Sequence, residues 1–200
     1  ATAQHLLAKG PRTEQVQALR AIEQEALRMK TLLGKLFAAS MARGRPRGEP
    51  LALNGVVEQT LAPLEADLRT RGIAVRRKLG GNLPKVGGDA ESIGRAIAEI
   101  LKNARAAMPE GGALTVETSA IEQRLVQLDI SDTGRGIAPE HLERIFDPFF
   151  TTKPDWRDAG LGLAYAHGVV QQHGGLIKVD SAPGAGTRVR IVLPAISAAG

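Results

Sequence analysis

The stretch Val126-Gln-Leu-Asp-Ile-Ser-Asp132 limits the fold more than any other part of the chain. Its residues Val126, Leu128 and Ile130 fall on alternate positions, and alternate side chains of a strand share a face. That row is apolar enough to be buried, and its next member is Asp132. A carboxylate ending a buried row is costly unless a hydrogen-bond donor meets it. Two sources of that donor stay open. One is the turn sequence Asp132-Thr-Gly134 itself. The other is the amino group of a bound ligand, such as that of adenine.

Further strands surround this one. Residues 114–118 pair with 125–131 as a hairpin, 176–181 pair with 187–193 around Pro183-Gly184, and 73–79 alternate in the same way. Helical stretches separate them. One runs from a capping Asn54 to about Thr70, and one from a capping Asp89 to about Met108. A short helix covers 139–146, and another covers 161–173. Hairpin-joined strands with helices between them predict an α+β fold, a two-layer sandwich with helices on one face of a mixed sheet. Aromatic residues are only 3% of the chain, so Leu, Ile, Val and Ala must build the core.

The N-terminal part has a different pattern. Residues 1–9 read as the end of a helix stopped at Gly10-Pro11. A long helix then spans about 13–42. Leu19, Ile22, Ala26, Met29, Leu33 and Leu36 recur at steps of three and four, which is a heptad seam. Val16, Leu32 and Phe37 widen it beyond a two-stranded seam. The length and regularity favour a helical hairpin that pairs into a four-helix bundle over a helix packed on its own domain. Gly44-Arg-Pro-Arg-Gly-Glu-Pro50 is a linker by composition. The expected organisation is a hairpin fragment over 1–42, a linker over 43–50 and an α/β domain over 51–197.

Composition removes several classes of function. Cysteine is absent, so no disulfide or thiolate metal site can form. No apolar run approaches the roughly 20 residues that cross a bilayer, and none resembles a signal peptide. The expectation is a cytoplasmic fragment without membrane contact, any anchor belonging to a longer parent. The net charge of +5 concentrates at Arg43, Arg45 and Arg47, and at Arg69, Arg71, Arg76, Arg77 and Lys78. Neither cluster carries the aromatics on which bases stack, and solvated surface without nucleic-acid binding is the expectation.

Three further features carry chemistry. Gly134 and Gly136 follow Asp132 directly, and a second glycine loop, Gly160-Leu161-Gly162-Leu163, opens a helix. Glycine admits close backbone approach, and helix starts present free N–H groups to phosphates. Glu99 and Asn103 stand four apart, hence on one helix face, at the border of the stripe Ile93, Ile97, Ile100, Ala104, Met108. Their oxygens suit Mg2+. Phe146, Phe149 and Phe150 crowd together before a polar stretch holding Pro154 and Trp156, a composition that suits a mobile segment with aromatic anchors.

The order Glu99…Asn103, Asp132-x-Gly134-x-Gly136, Phe146-x-x-Phe149, Gly160-x-Gly162, Gly186-Thr187 resembles, box for box, the ATP-binding domain shared by histidine kinases, gyrase, the heat-shock chaperone and mismatch-repair ATPases. The resemblance covers about 51–195. Phe146-Asp-Pro-Phe-Phe-Thr-Thr-Lys153 and His173-Gly-Gly175 look specifically like the sensor histidine kinases of two-component systems, and the long helix resembles their second dimerisation helix.

The resemblance implies ATP and Mg2+ as cofactors. By similarity, Asn103 binds Mg2+, with Glu99 one turn earlier as a base or metal-water partner. Asp132 takes the adenine amino group. Gly134 and Gly136 shape the floor, with Ile137 and Phe149 beside the nucleotide. Lys153, Gly160, Leu161, Gly162 and Leu163 belong to lid and phosphate contacts, and Thr187 supports the adenine side through water. One departure concerns phosphate binding. Where many kinases carry a basic residue one turn after the Asn, this chain has Ala106 and Ala107. The burden then moves to Lys153, Arg105 and the helix start.

The implied partners are a second copy, joined through the N-terminal helices, and the receiver domain of a response regulator. His5 is followed by Leu6 and Leu7 rather than by the acidic residue usual after the phosphoacceptor, and His141, His167 and His173 match no acceptor pattern. The expectation is a chain that binds ATP but begins after its acceptor histidine. Two other readings remain open: an ATP-hydrolysing relative in which Glu99 activates water, and a dimerisation module with a vestigial nucleotide site.

Overall fold

The computed structural model describes residues 13–41, 49–122, 124–152 and 160–196. The expectations for His5, the Gly10-Pro11 turn, most of the linker, Lys153 and Trp156 concern residues outside that set. Two compact units divide between Ser40 and Met41. Among the described residues, the first unit holds helix α1, Thr13–Met41, whose last residue falls in the second. Its seam residues Leu19, Ile22, Met29, Leu32 and Leu33 are each more than half exposed in the single chain.

The second unit runs β1 (Glu49–Leu51), α2 (Leu53–Leu61), a 3-10 turn, α3 (Glu65–Thr70), β2 (Ile73–Leu79), β3 (Val86–Gly88) and α4 (Ala90–Ala107). It continues through β4 (Gly112–Ile121), β5 (Leu125–Asp132), α5 (Pro139–Leu142), α6 (Gly162–Gln172), β6 (Leu176–Ala182) and β7 (Gly186–Pro194). Five strands form one sheet in the order β2-β4-β5-β7-β6. Only β2 and β4 run parallel. β1 and β3 make a separate antiparallel pair, so Glu49 and Pro50, expected in the linker, belong to a strand.

Period-two patterning explains the layer structure. On one face, Val116, Ile130 and Val189 lie side by side in register, followed by Thr118, Leu128 and Ile191, all buried. Helices α4 and α6 cover that face, and α2 packs on α4. In α4 the buried residues Ile93, Ala96, Ile97, Ile100, Leu101 and Ala104 recur at helical spacing. Each such aliphatic side chain contributes about 1.5–3 kcal/mol on burial. The opposite face is charged. Lys78, Glu117, Asp129, Arg190 and Lys178 stand in adjacent register across all five strands. Lys78 pairs with Glu117 at 2.9 Å, and Arg190 with Asp129 at 3.1 Å. Within the second basic cluster, Arg71 pairs with Asp67 and Arg77 with Glu65.

Helix starts divide the expectations. Asp89 does cap α4: its Oδ2 accepts the Ser92 N–H at 2.8 Å. Asn54 caps nothing. The helix expected from it to Thr70 is broken by the 3-10 turn Ala62–Leu64, where Pro63 cannot donate a helical hydrogen bond. Asn54 instead donates to the Gly80 carbonyl at 2.9 Å and accepts from the Thr118 hydroxyl at 2.7 Å. Thr118 sits on the buried face at 5% exposure, and this side chain satisfies it. The short helix expected over 139–146 stops at Leu142 and continues as turns. Among the described residues, no helix is long and apolar enough to cross a membrane.

Candidate functional site: a cavity between α4, the sheet end and the start of α6

One cavity of about 720 Å3 opens where α4, the ends of β5 and β7, and the first turn of α6 meet. Glu99, Asn103, Asp132, Gly136, Ile137, Gly160, Gly162, Leu163 and Thr187 all line it. Residues from four separate stretches of sequence therefore share one space. Gly134, Phe149 and Leu161 lie outside the lining.

Asp132 ends the buried row as expected, and the turn supplies one of its donors. Its Oδ1 accepts the Gly134 N–H at 2.8 Å. Burial nevertheless pushes the carboxyl above its ordinary range, against the Gly134 and Thr187 backbone N–H groups, which hold it down. The turn alone therefore leaves the charge under-stabilised, and a ligand donor would complete its shell. Ile130, Val179 and Val189 supply apolar wall nearby. They neighbour one another in register, Ile130 beside Val189 and Val189 beside Val179.

A polar node fixes the floor behind Asp132. The Ile137 N–H donates to the Ser181 hydroxyl at 2.9 Å, which donates to the Gly186 carbonyl at 2.8 Å. The Thr187 hydroxyl lies 3.0 Å from Ser181. Gly136 sits at φ 70°, and a Cβ there would run into the Ala182 carbonyl of the β6–β7 turn. Gly134 is required for a different reason than close ligand approach. A Cβ on it would meet the Ala107 carbonyl at 2.6 Å, because the turn packs directly on the end of α4.

The other end of the cavity is polar. Glu99 Oε1 lies 2.7 Å from Lys102 Nζ. Its Oε2 lies over Gly162, where a Cβ would meet it at 2.7 Å. Helix α6 starts there without a capping side chain, so its first N–H groups remain available to an anion. Arg105 also lines the cavity, but its guanidinium is held by Asp67 at 2.8 Å. In this structure the Arg105 guanidinium is thus engaged by the α3 carboxylate.

The phenylalanines work as anchors. Phe146 stacks on His167, with ring centroids 4.7 Å apart. Phe150 lines the cavity, with His141 at 5.6 Å and the Arg144 guanidinium over its ring at 4.7 Å. The Phe149 N–H donates to the Gly160 carbonyl at 3.0 Å. Both residues have positive φ, 66° and 64°. The two ends of the stretch between the Phe cluster and the second glycine loop are thus fastened together.

Lys102, Arg135 and His141 line the cavity without having been singled out. Lys102 was legible in principle, since it adjoins Asn103 on α4. Arg135 and His141 needed the fold. His173, by contrast, is structural. It is 7% exposed, with Nδ1 2.7 Å from the Val169 carbonyl and Nε2 accepting the Asp89 N–H at 3.1 Å. It ties the end of α6 to the cap of α4, which explains the His173-Gly174-Gly175 signature.

Residues 88–197, more than half of the chain, match the family described as histidine kinase-, DNA gyrase B-, and HSP90-like ATPase. The chain belongs to this ATPase family. It is 37% identical over 187 residues to the sensor kinase CckA of Brucella abortus, covering 86% of this chain and 20% of that protein. A mycobacterial sensor histidine kinase, MprB, has a solved structure that superimposes with a TM-score of 0.65 at 33% identity, covering 74% of this chain and 97% of that one. The full-length histidine kinase ShkA, solved in complex with AMPPNP, gives a TM-score of 0.70 at 25% identity, covering 97% of this chain and 42% of that one. Within the family, the chain is therefore an ATPase domain of the sensor histidine kinase type. It spans about a fifth of the length of CckA.

Proposed function

We propose that this chain is the catalytic region of a sensor histidine kinase, holding Mg-ATP in the α4–β5–α6 cavity and passing the γ-phosphate to a histidine for relay to the receiver domain of a response regulator. The observation that carries the reading is Asp132: a half-buried carboxylate with a raised pKa, lining an apolar-walled cavity into which a ligand donor can reach. The adenine amino group supplies that donor. Thr187 and Ile137 border the base, and Gly136 gives the floor its turn. Gly160, Gly162 and Leu163 line the phosphate end beside the uncapped start of α6. Lys153 is the further cation expected there. The ShkA complex with an ATP analogue supports the same assignment.

Asn103 and Glu99 are the residues that would hold Mg2+. They supply one amide and one carboxylate, and the described residues contain no group of three or more His, Asp or Glu positioned for a metal. That donor set fits Mg2+ arriving with nucleotide phosphates and keeping several waters, rather than a resident ion. When bound, Mg2+ neutralises charge developing on the phosphates. The protein's own part is positioning. The likeness to sensor histidine kinases, at 37% identity to CckA and 33% to MprB, favours transfer to a histidine over hydrolysis as the main activity. Phosphoryl transfer is therefore the preferred reading. The exposed seam of α1 is the proposed homodimer contact, with the catalytic domain beginning at about residue 51.

Calorimetric titration with Mg-ADP and Mg-ATP tests the site. Saturable binding is expected, weakened tenfold or more in Asp132→Asn; absence of binding by the unsubstituted protein overturns the reading. With γ-labelled ATP the chain should stay unlabelled, and acid-labile label on His5 would place the acceptor within it.

A further inference from the structure

The cavity has a charge problem at its phosphate end. One turn after Asn103 the chain carries Ala106 and Ala107, neither of which can meet a phosphate charge. Arg105, the nearest remaining candidate, is turned to Asp67. Arg135 belongs to the turn beside Asp132, at the opposite end. Among the described residues, the cation left beside Asn103 and Gly162 is Lys102. It lines the cavity, its side chain is 53% exposed, and its ammonium is paired with Glu99 at 2.7 Å.

The same Glu99 carboxylate places its second oxygen over Gly162. One side chain thus occupies both features a phosphate would want, the ammonium and the entry to α6. Carboxylate and phosphate are both anions that accept from N–H donors, so the two compete for one place. An exposed i,i+3 ion pair is held weakly, by less than about 1 kcal/mol. A triphosphate can therefore displace it readily.

We propose that Lys102 is the phosphate-binding cation of this chain, and that Glu99 acts in the empty site as a built-in substitute anion that gives up Lys102 when a nucleotide enters. The inference rests on the ATP reading above and deepens it. Released from Lys102, Glu99 is then free to turn toward the metal beside Asn103. Lys102 takes over the role that Ala106 and Ala107 leave vacant.

The test compares ligands that share the base and differ in phosphates. Kd values for adenosine, ADP and ATP are measured by calorimetry on the full chain, with and without Mg2+. Lys102→Met should weaken ATP by roughly tenfold or more, the loss expected for a charge-assisted contact, and leave adenosine unchanged. Lys102→Arg should restore most of the loss. Glu99→Gln should tighten Mg-free ATP severalfold, because the competing anion is gone. Equal ATP affinity in Lys102→Met and the parent overturns the proposal, as does parallel weakening of adenosine and ATP, or weaker Mg-free ATP binding in Glu99→Gln. Failure of the parent to bind any of the three ligands would instead defeat the ATP reading itself.

Discussion

Gly136 and Gly162 both line the cavity, yet replacing each by Ala should have opposite consequences. At Gly162 the backbone is ordinary helix, and the added Cβ meets only the end of the Glu99 side chain, at 2.7 Å. That carboxylate can swing away, losing an exposed ion pair worth about 0.2–1 kcal/mol. Ala at a helical position returns up to about 1 kcal/mol relative to Gly. The sum is close to zero. At Gly136 the φ of 70° disfavours any Cβ by about 1–2 kcal/mol. The Cβ also meets the backbone carbonyl of Ala182, which no rotamer change can move. Overpacking of that kind adds about 1–3 kcal/mol. Urea denaturation should therefore leave Gly162→Ala within about 1 kcal/mol of the parent and lower Gly136→Ala by at least about 2 kcal/mol, from these same terms. Nucleotide titration should show that Gly162→Ala, though folded, binds ATP more weakly, since the added Cβ stands at the entry to α6 where the phosphates approach. The reasoning is refuted if Gly162→Ala loses as much stability as Gly136→Ala.

Two more perturbations address other parts of the site. Replacing His173 by Leu leaves the Asp89 N–H without its acceptor and should cost about 1–2 kcal/mol in chemical denaturation; an unchanged midpoint would show that water substitutes fully at this exposed cap. Acidification should weaken ADP binding at a pH above the ordinary Asp value of 3.8, because burial raises Asp132 and the adenine amino group needs the charged form. The sign for stability is opposite: a raised folded pKa means the unliganded domain gains from protonation as pH falls through it. Calorimetry across pH on the parent and on Asp132→Asn, which should lack that acid limb, checks the assignment.

The chemistry was more legible in the sequence than the architecture that assembles it. Asp132 could be placed because period-two burial is a local property, and Asp89 because its capping partner lies three residues away. Asn54 was misread for the same reason: its partners, Gly80 and Thr118, lie 26 and 64 residues off, and no local rule announces them. The parallel pairing of β2 with β4 and the strand order likewise join segments far apart in the sequence, which no local pattern announces. Glycines were visible as special, but not why. Gly134 also has a packing reason that the sequence did not show, since a Cβ there would meet Ala107. Lys102 carried no motif of its own and gained meaning only when Arg105 proved to be engaged elsewhere.

The hydrogen bond from Phe149 to Gly160 has a consequence for how such a domain can vary. It works as a clasp, and the chain on either side of it is in the same place whatever lies between. Closing a loop across a fixed clasp costs only about 0.6 kcal/mol more for each doubling of its length. The domain can therefore accept a longer, shorter or wholly different insert at this point while Phe150 and Gly162 keep their stations at the cavity. The positions between Thr152 and Gly160 form a socket in the sequence, where one insert can be exchanged for another without rebuilding the site.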